Sequence, residues 1–199
     1  MVYLEFIDWD RRTPVDIFHF LKAQEGWIDE AEDSQVLNVG RHKGLGAKPA
    51  YLCGWRIRDL GRIDEWEAYF KSAAGKTDYA ELAALQGLDF VRCGLYDELI
   101  YAPLADDCVH FIEYFDGYGS ATDDELRTHF ERRNATLSGA TLACLFRRVG
   151  LLGPQDGDIA IWTCPDLASI EPIARARHEG SNFAPLRVGV YRNAGQELM

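Results

Sequence analysis

The chain has 199 residues, 47% hydrophobic and 27% charged, with a formal net charge of −11. That is one medium domain or two small ones, with ample material for a core. The acidic balance argues against a nucleic-acid partner and against an anionic membrane surface, both of which call for a basic face. No apolar run approaches the roughly 20 residues of a membrane span. Acidic residues follow Met1 where a signal peptide carries basic ones, so a cytoplasmic location is expected.

Residues 2–9 read as an apolar strand. Pro14 then opens a helical pattern with Ile17, Phe18 and Leu21 on one face. Two strands over 35–45 and 50–58 flank a turn-like interruption at Gly44, Gly46 and Pro49. Ile63, Trp66 and Phe70 stand at helical spacing, and 89–97 reads as a strand. After a link from Tyr101 to Asp107, the same kinds of element return near 109–116, 122–136, 140–151, 157–164, 168–179 and 185–192. Each half therefore runs β-α-β-β-α-β, the order of a ferredoxin-like unit.

The halves also share residues. Leu4-Glu5-Phe6-Ile7-Asp8 returns as Ile112-Glu113-Tyr114-Phe115-Asp116, and Arg41 aligns with Arg147. Trp55 returns as Trp162, and Asp59-Leu60 as Asp166-Leu167. Arg92-Cys93-Gly94-Leu95-Tyr96 returns as Arg187-Val188-Gly189-Val190-Tyr191. Ordered matches of this kind point to an internal duplication, with halves at 1–101 and 106–199 and an insertion in the first half near 75–86.

A ferredoxin-like sheet carries helices on one face, so its other face must be buried too. Strand alternation sorts the faces. Leu186, Val188 and Val190 are aliphatic and suit helix packing, as do Val91, Cys93 and Leu95. Arg187, Gly189 and Tyr191, with Arg92, Gly94 and Tyr96, then point to the helix-free face. By the same reasoning Leu4, Phe6, Leu52, Ile112, Tyr114, Ile159 and Ile161 face helices. Tyr3, Glu5, Ile7, Trp55, Phe111, Glu113, Phe115 and Trp162 are left for the helix-free side. Two such aromatic faces, packed together, enclose a central space.

The order of elements and the tandem duplication resemble the dimeric α+β barrel superfamily, here with both halves in one chain. That resemblance implies an α+β fold of tandem ferredoxin-like repeats whose sheets form an intramolecular barrel. The superfamily includes antibiotic-biosynthesis monooxygenases that need no cofactor, muconolactone isomerases, EthD-like proteins and stress-responsive barrel proteins. It thereby implies a cofactor-independent isomerase, lyase or monooxygenase acting on an aromatic, lactone or polyketide-like substrate. The alternative is a non-catalytic ligand-binding or stress-responsive barrel. No local motif selects one family.

The candidate catalytic residues are Glu5, Glu113, Arg92 and Arg187. A desolvated Glu can take a proton next to a carbonyl, and an Arg fork can hold the resulting enolate or a carboxylate. Tyr96 and Tyr191 can donate to a developing oxyanion. Trp55, Trp162, Tyr3 and Phe111 offer stacking surfaces for a small-molecule ligand. His42, near a strand end, is placed at the barrel mouth. The bland reading pairs Arg92 with Glu5 and Arg187 with Glu113 as ion pairs that seal the centre.

The five cysteines are dispersed without Cys-x-x-Cys spacing, and the histidines show no ligand spacing, so no metal is expected. No cofactor is expected either, and His110 is assigned to the helix side. A homo-oligomer is compatible with the sequence.

Overall fold

The computed structural model describes residues 1–7, 34–46, 49, 51–72, 91–116, 121–150, 157–176 and 183–193. The helix expected after Pro14 and the insertion near 75–86 lie outside these residues.

Eight strands form one closed barrel: β1 Val2–Ile7, β2 Ser34–Gly46, β3 Tyr51–Arg56, β4 Val91–Tyr101, β5 Val109–Phe115, β6 Thr141–Arg148, β7 Asp158–Cys164 and β8 Pro185–Asn193. Among the described residues, three helices accompany them: α1 Gly61–Lys71, α2 Asp123–Thr136 and α3 Glu171–Arg175, the last preceded by a 3-10 turn at Ala168–Ile170. The strand expected over 89–97 runs on to Tyr101, because its extension pairs with β6. The helix expected over 168–179 is broken into two short pieces, with Pro172 in the first turn of the second.

Around the barrel the order is β1-β3-β2-β8-β5-β7-β6-β4, and every neighbouring pair is antiparallel. Closure removes the exposed strand edges that open sheets must protect. The seams between the halves of the chain are β2–β8 and β4–β6, and both carry register shifts, between Arg41 and Gly46 and between Glu98 and Ile100. Such irregularities let a sheet bend enough to close.

Helix α2 starts cleanly. Thr122 is its N-cap, and the Thr122 and Glu125 side chains and backbones bond reciprocally as a capping box. Leu126 and Phe130, one turn apart, bury the face that packs on the sheet. Asn134 Oδ1 accepts the Leu142 N–H at 2.8 Å and fixes the helix against the start of β6.

Two layers of core result. The barrel interior contains Val2, Leu4, Phe6, Val39, Leu52, Tyr96, Ile112, Tyr114, Phe146, Ile159, Ile161 and Tyr191. Outside the barrel, Phe111, Phe115, Leu145, Trp162 and Val190 pack with Leu126, Phe130, Ile170 and Ile173. Trp55, Ile57, Leu95 and Tyr3 pack with Ile63 and Trp66 of α1.

This corrects half of the expected faces. In β4 and β8 the alternation is as expected: Tyr96 and Tyr191 point inward, while Leu95 and Val190 meet the helix layer. In β1, β3, β5 and β7 it is reversed. Leu4 is in register with Gly94 and Ile112 with Gly189, so the aliphatic residues of β1 and β5 share the interior with the tyrosines. A sheet's side-chain period is two, so one register choice turns a whole strand over. Volume explains the choice. A barrel of about eight strands has an interior just wide enough to be filled by side chains. The two indoles fit instead between sheet and helix.

Candidate functional site

Register defines which polar residues share the barrel interior. Tyr114 is opposite Arg187, and Phe6 is opposite Arg92. Tyr191 pairs with His110 on one side and Arg41 on the other, while Tyr96 pairs with Val2 and Arg148. At the far end, Arg56 Nη2 bonds Glu98 Oε2 at 2.7 Å, with the guanidinium 4.8 Å from the Tyr101 ring centroid.

Three tyrosines and Phe6 form the aromatic centre. The Phe6 ring lies 6.2 Å from Tyr96 and 6.4 Å from Tyr114. The Tyr114 and Tyr191 hydroxyls are 3.2 Å apart, and Tyr191 Oη donates to the Pro49 carbonyl at 3.0 Å. A carbonyl only accepts and Tyr191 has one hydroxyl hydrogen, so Tyr114 donates to Tyr191. Burial pushes the Tyr114 phenol well above its ordinary value, and Tyr191 adds to that shift while Arg187 opposes it. The Arg187 guanidinium sits 4.3 Å from the Tyr114 ring centroid, a cation–π contact.

Access is graded. Tyr114 and Tyr191 are 0% exposed and Tyr96 1%, so no water-sized space adjoins the first two. Arg148 is buried, Arg41 and Arg187 are half-buried, and Arg92 is exposed. Both ends of the barrel carry partly exposed charges, since the Arg56 side chain at the other end is 42% exposed.

His110 belongs to this interior and not to the helix side as expected. It is 0% exposed, with Nδ1 3.3 Å from Thr163 Oγ1. Burial lowers its pKa to about 4, helped by Arg192 and opposed by Asn193, the Ala105 backbone and Asp106, so the ring is neutral at pH 7.

The other sequence candidates lie outside the barrel. Glu113 is 2% exposed and accepts from Arg133 of α2 at 2.5 and 2.8 Å and from Trp162 Nε1 at 2.7 Å. The Arg133 guanidinium lies 5.0 Å from the Trp162 ring centroid. The expected pairing of Glu113 with Arg187 is therefore replaced by a sheet-to-helix pairing, with Arg187 on the opposite face. Glu5 is in register with Cys53 and Cys93, also on the outer face, whereas Arg92 is in register with Phe6. Tyr3 packs edge-on against Trp66 with ring centroids 5.6 Å apart, and Trp55 belongs to the same cluster. Phe111 and Trp162 pack with α2. His42 is 7% exposed and follows Arg41, where β2 leaves the register of β8.

The structure thus brings Arg92, Arg187, Tyr96 and Tyr191 to one interior and leaves both glutamates off it. It adds Tyr114, His110, Arg148 and Arg41. Tyr114 was hidden by being grouped with the aliphatic side of its strand. Among the described residues, no group of three or more His, Cys, Asp or Glu is placed to hold a metal ion. No described helix is long and apolar enough to cross a membrane.

Known structures share this architecture. The chain superposes with a TM-score of 0.58 on an anthrone oxidase-like protein, at 10% identity over 96% of this chain and 89% of that one. A candidate monooxygenase from Lactobacillus acidophilus gives 0.57 at 9% identity, over 96% of this chain and 91% of that one. Another from Fusobacterium nucleatum gives 0.51 at 12%, over 97% and 93%. The likeness is one of fold: an α+β chain with a closed antiparallel barrel, consistent with the dimeric α+β barrel type. No protein-family model and no curated protein sequence matches the chain.

Proposed function

We propose that this chain is a small-molecule enzyme of the dimeric α+β barrel type, a tandem duplication acting in the cytoplasm without a cofactor. The duplication is supported by equivalent cross-strand pairs: Tyr3 with Trp55 and Phe111 with Trp162, Val2 with Tyr96 and His110 with Tyr191. The reaction we favour is oxygenation of an aromatic, polyketide-like ketone, in preference to isomerisation or lyase chemistry. The observation that carries it is the half-buried Arg187 guanidinium over the buried Tyr114 ring, on the inner face of the barrel. A guanidinium held there stabilises an enolate oxygen as it forms. The oxygenation is balanced with dioxygen as sole oxidant: anthrone and O₂ give anthraquinone and water. The glutamates are not the base in this reading, because Glu113 is committed to Arg133 and Glu5 is on the outer face.

The test is aerobic incubation of the purified chain with anthrone, followed by quinone absorbance and oxygen uptake. Turnover above the spontaneous rate, lost in Arg187→Gln, supports the proposal; a rate equal to buffer alone rejects oxygenation of this substrate class.

A second reading rests on the complete burial of Tyr114, Tyr191, Leu4 and Ile112, which leaves the deep interior filled. It makes the protein a non-catalytic ligand-binding or stress-responsive barrel. Thermal stabilisation by an aromatic acid or lactone, without product, favours it.

A further inference from the structure

The two halves of the barrel interior share a backbone plan and differ in chemistry. Leu4 is in register with Gly94 and Ile112 with Gly189, and each glycine stands two residues before an inward tyrosine, Tyr96 or Tyr191. Phe6 opposite Arg92 in the first half becomes Tyr114 opposite Arg187 in the second. A phenyl ring carries no hydroxyl, so Phe6 cannot make the bond that Tyr114 makes to Tyr191 at 3.2 Å.

Glycine inside a strand forfeits side-chain packing and backbone entropy, and it marks a place where another group comes close. At Gly189 that group is a single side chain. A Cβ there would lie 2.6 Å from Cε2, 3.1 Å from Cζ and 3.0 Å from the hydroxyl of Tyr191, and these are its three nearest atoms. The Tyr191 ring therefore lies along β8 over the bare backbone of Gly189. That course carries its hydroxyl to Tyr114 and to the Pro49 carbonyl at 3.0 Å. Carbon atoms in ordinary contact stand about 3.5–4.0 Å apart, so a methyl at this position displaces the ring by about 1 Å. Tyr191, Tyr114, Leu4 and Ile112 are all fully buried, so the ring has only a filled interior to enter. A displacement of that size opens the hydroxyl contact and unseats Tyr114, whose ring lies 4.3 Å from the Arg187 guanidinium.

We propose that Gly189 is a positioning residue of the second half of the barrel: its bare backbone seats Tyr191, and Tyr191 holds the Tyr114 ring beneath the Arg187 guanidinium. The assignment deepens the enzymatic reading by giving the working geometry to the second half alone, and it rests on that reading only where turnover is concerned. Gly189 acts through Tyr191 and touches no substrate.

The test is a set of carbon-13 spectra of the full chain labelled at tyrosine Cζ, with the Tyr114 resonance identified by its loss in Tyr114→Phe. Gly189→Ala is expected to shift that resonance in the same direction as Tyr191→Phe, because both remove the same hydroxyl contact. The two substitutions combined are expected to shift it no further. Gly150→Ala, at a position with open space around its Cβ, is expected to leave it in place. An unshifted Tyr114 resonance in folded Gly189→Ala overturns the proposal. If Gly189→Ala does not fold, the double variant with Tyr191→Leu removes the clashing ring: recovery of the fold supports the proposal, and failure to recover overturns it. With anthrone as substrate, Gly189→Ala is expected to lower kcat by about tenfold to a hundredfold, the scale of a 1 Å misplacement, with KM little changed. A shifted resonance with undiminished turnover overturns the positioning role. Absence of anthrone turnover in the parent chain rejects the oxygenation reading and leaves the spectra to decide on Gly189.

Discussion

Glu113 and Arg133 join the barrel to its longest described helix through two hydrogen bonds, at 2.5 and 2.8 Å, between groups that are 2% and 11% exposed. A third bond, from Trp162 Nε1, uses the same carboxylate. An ion pair buried this deeply gains little over a well-packed apolar pair, but loss of one partner strands the other charge. Glu113→Ala is therefore expected to destabilise the fold by roughly 3–5 kcal/mol, and Glu113→Leu combined with Arg133→Met by much less. Urea unfolding of the single and double variants checks this. A single variant of unaltered stability that has lost ligand binding would restore Glu113 as a functional residue.

How far the sequence carries is clear from the same residues. The strands and α2 were readable, because alternation, Thr122 capping and the Leu126–Phe130 spacing are local signals. So were Tyr96 and Tyr191, whose strands alternate between aliphatic and polar residues without ambiguity. Glu113 was misplaced because both faces of its strand are apolar: Phe111 and Phe115 on one side, Ile112 and Tyr114 on the other. Burial on both faces erases the alternation signal. A signal for the right answer did exist. Arg133 stands seven residues after Leu126, on the packed face of α2, where a buried cation requires an acid on the sheet beneath. The alignment of Arg41 with Arg147 is off by one residue. Arg41 is equivalent in register to Arg148 and not to Arg147, since the two face Tyr191 and Tyr96.

The hydroxyl chain in the barrel interior makes an asymmetric prediction. Tyr191 both donates to Pro49 and accepts from Tyr114. Tyr191→Phe leaves a buried carbonyl and a buried hydroxyl short of a partner and is expected to cost about 2–4 kcal/mol, one to two desolvation penalties. Tyr114→Phe removes only a donor, and Tyr191 keeps its bond to Pro49, so about 1 kcal/mol is expected. Equal losses in the two variants would count against the Tyr191–Pro49 hydrogen bond.

Gly157 precedes β7 with φ +78°, and a Cβ there would lie 2.4 Å from the Phe115 carbonyl oxygen and 3.2 Å from Asp116 Cα. Both neighbours are backbone and cannot rotate aside. Gly157→Ala therefore combines a left-handed conformation with overpacking, and a loss of roughly 2–4 kcal/mol is expected. Gly150 has φ +55° but open space around its Cβ position, so Gly150→Ala tests the conformational part alone and is expected to cost about 1 kcal/mol. A melting series over the two variants separates the contributions.

Asp158, at the start of β7, gives the protein an acid-side stability term of unusual sign. Its Oδ1 accepts the Arg148 N–H at 2.8 Å, and the residue is 0% exposed. Burial is the largest influence and pushes its pKa up from 3.8 to about 6, against the opposing pull of that hydrogen bond, Arg147 and Arg148, and with some help from Asp116. A carboxyl whose folded pKa is raised binds its proton more tightly in the folded state than in the unfolded one. Its stabilising contribution is complete below the unfolded value and disappears as pH climbs from about 4 to about 6. The raised value corresponds to about 3 kcal/mol across that window. Asp158→Asn keeps the acceptor for the Arg148 N–H but cannot ionise. The variant is therefore expected to be more stable than the parent chain at pH 7 and little different at pH 4. Denaturant midpoints measured at both pH values decide the matter. A variant that is weaker at pH 7 would mean that the carboxylate is held ionised by Arg147 and Arg148, and that its charge, not its burial, dominates.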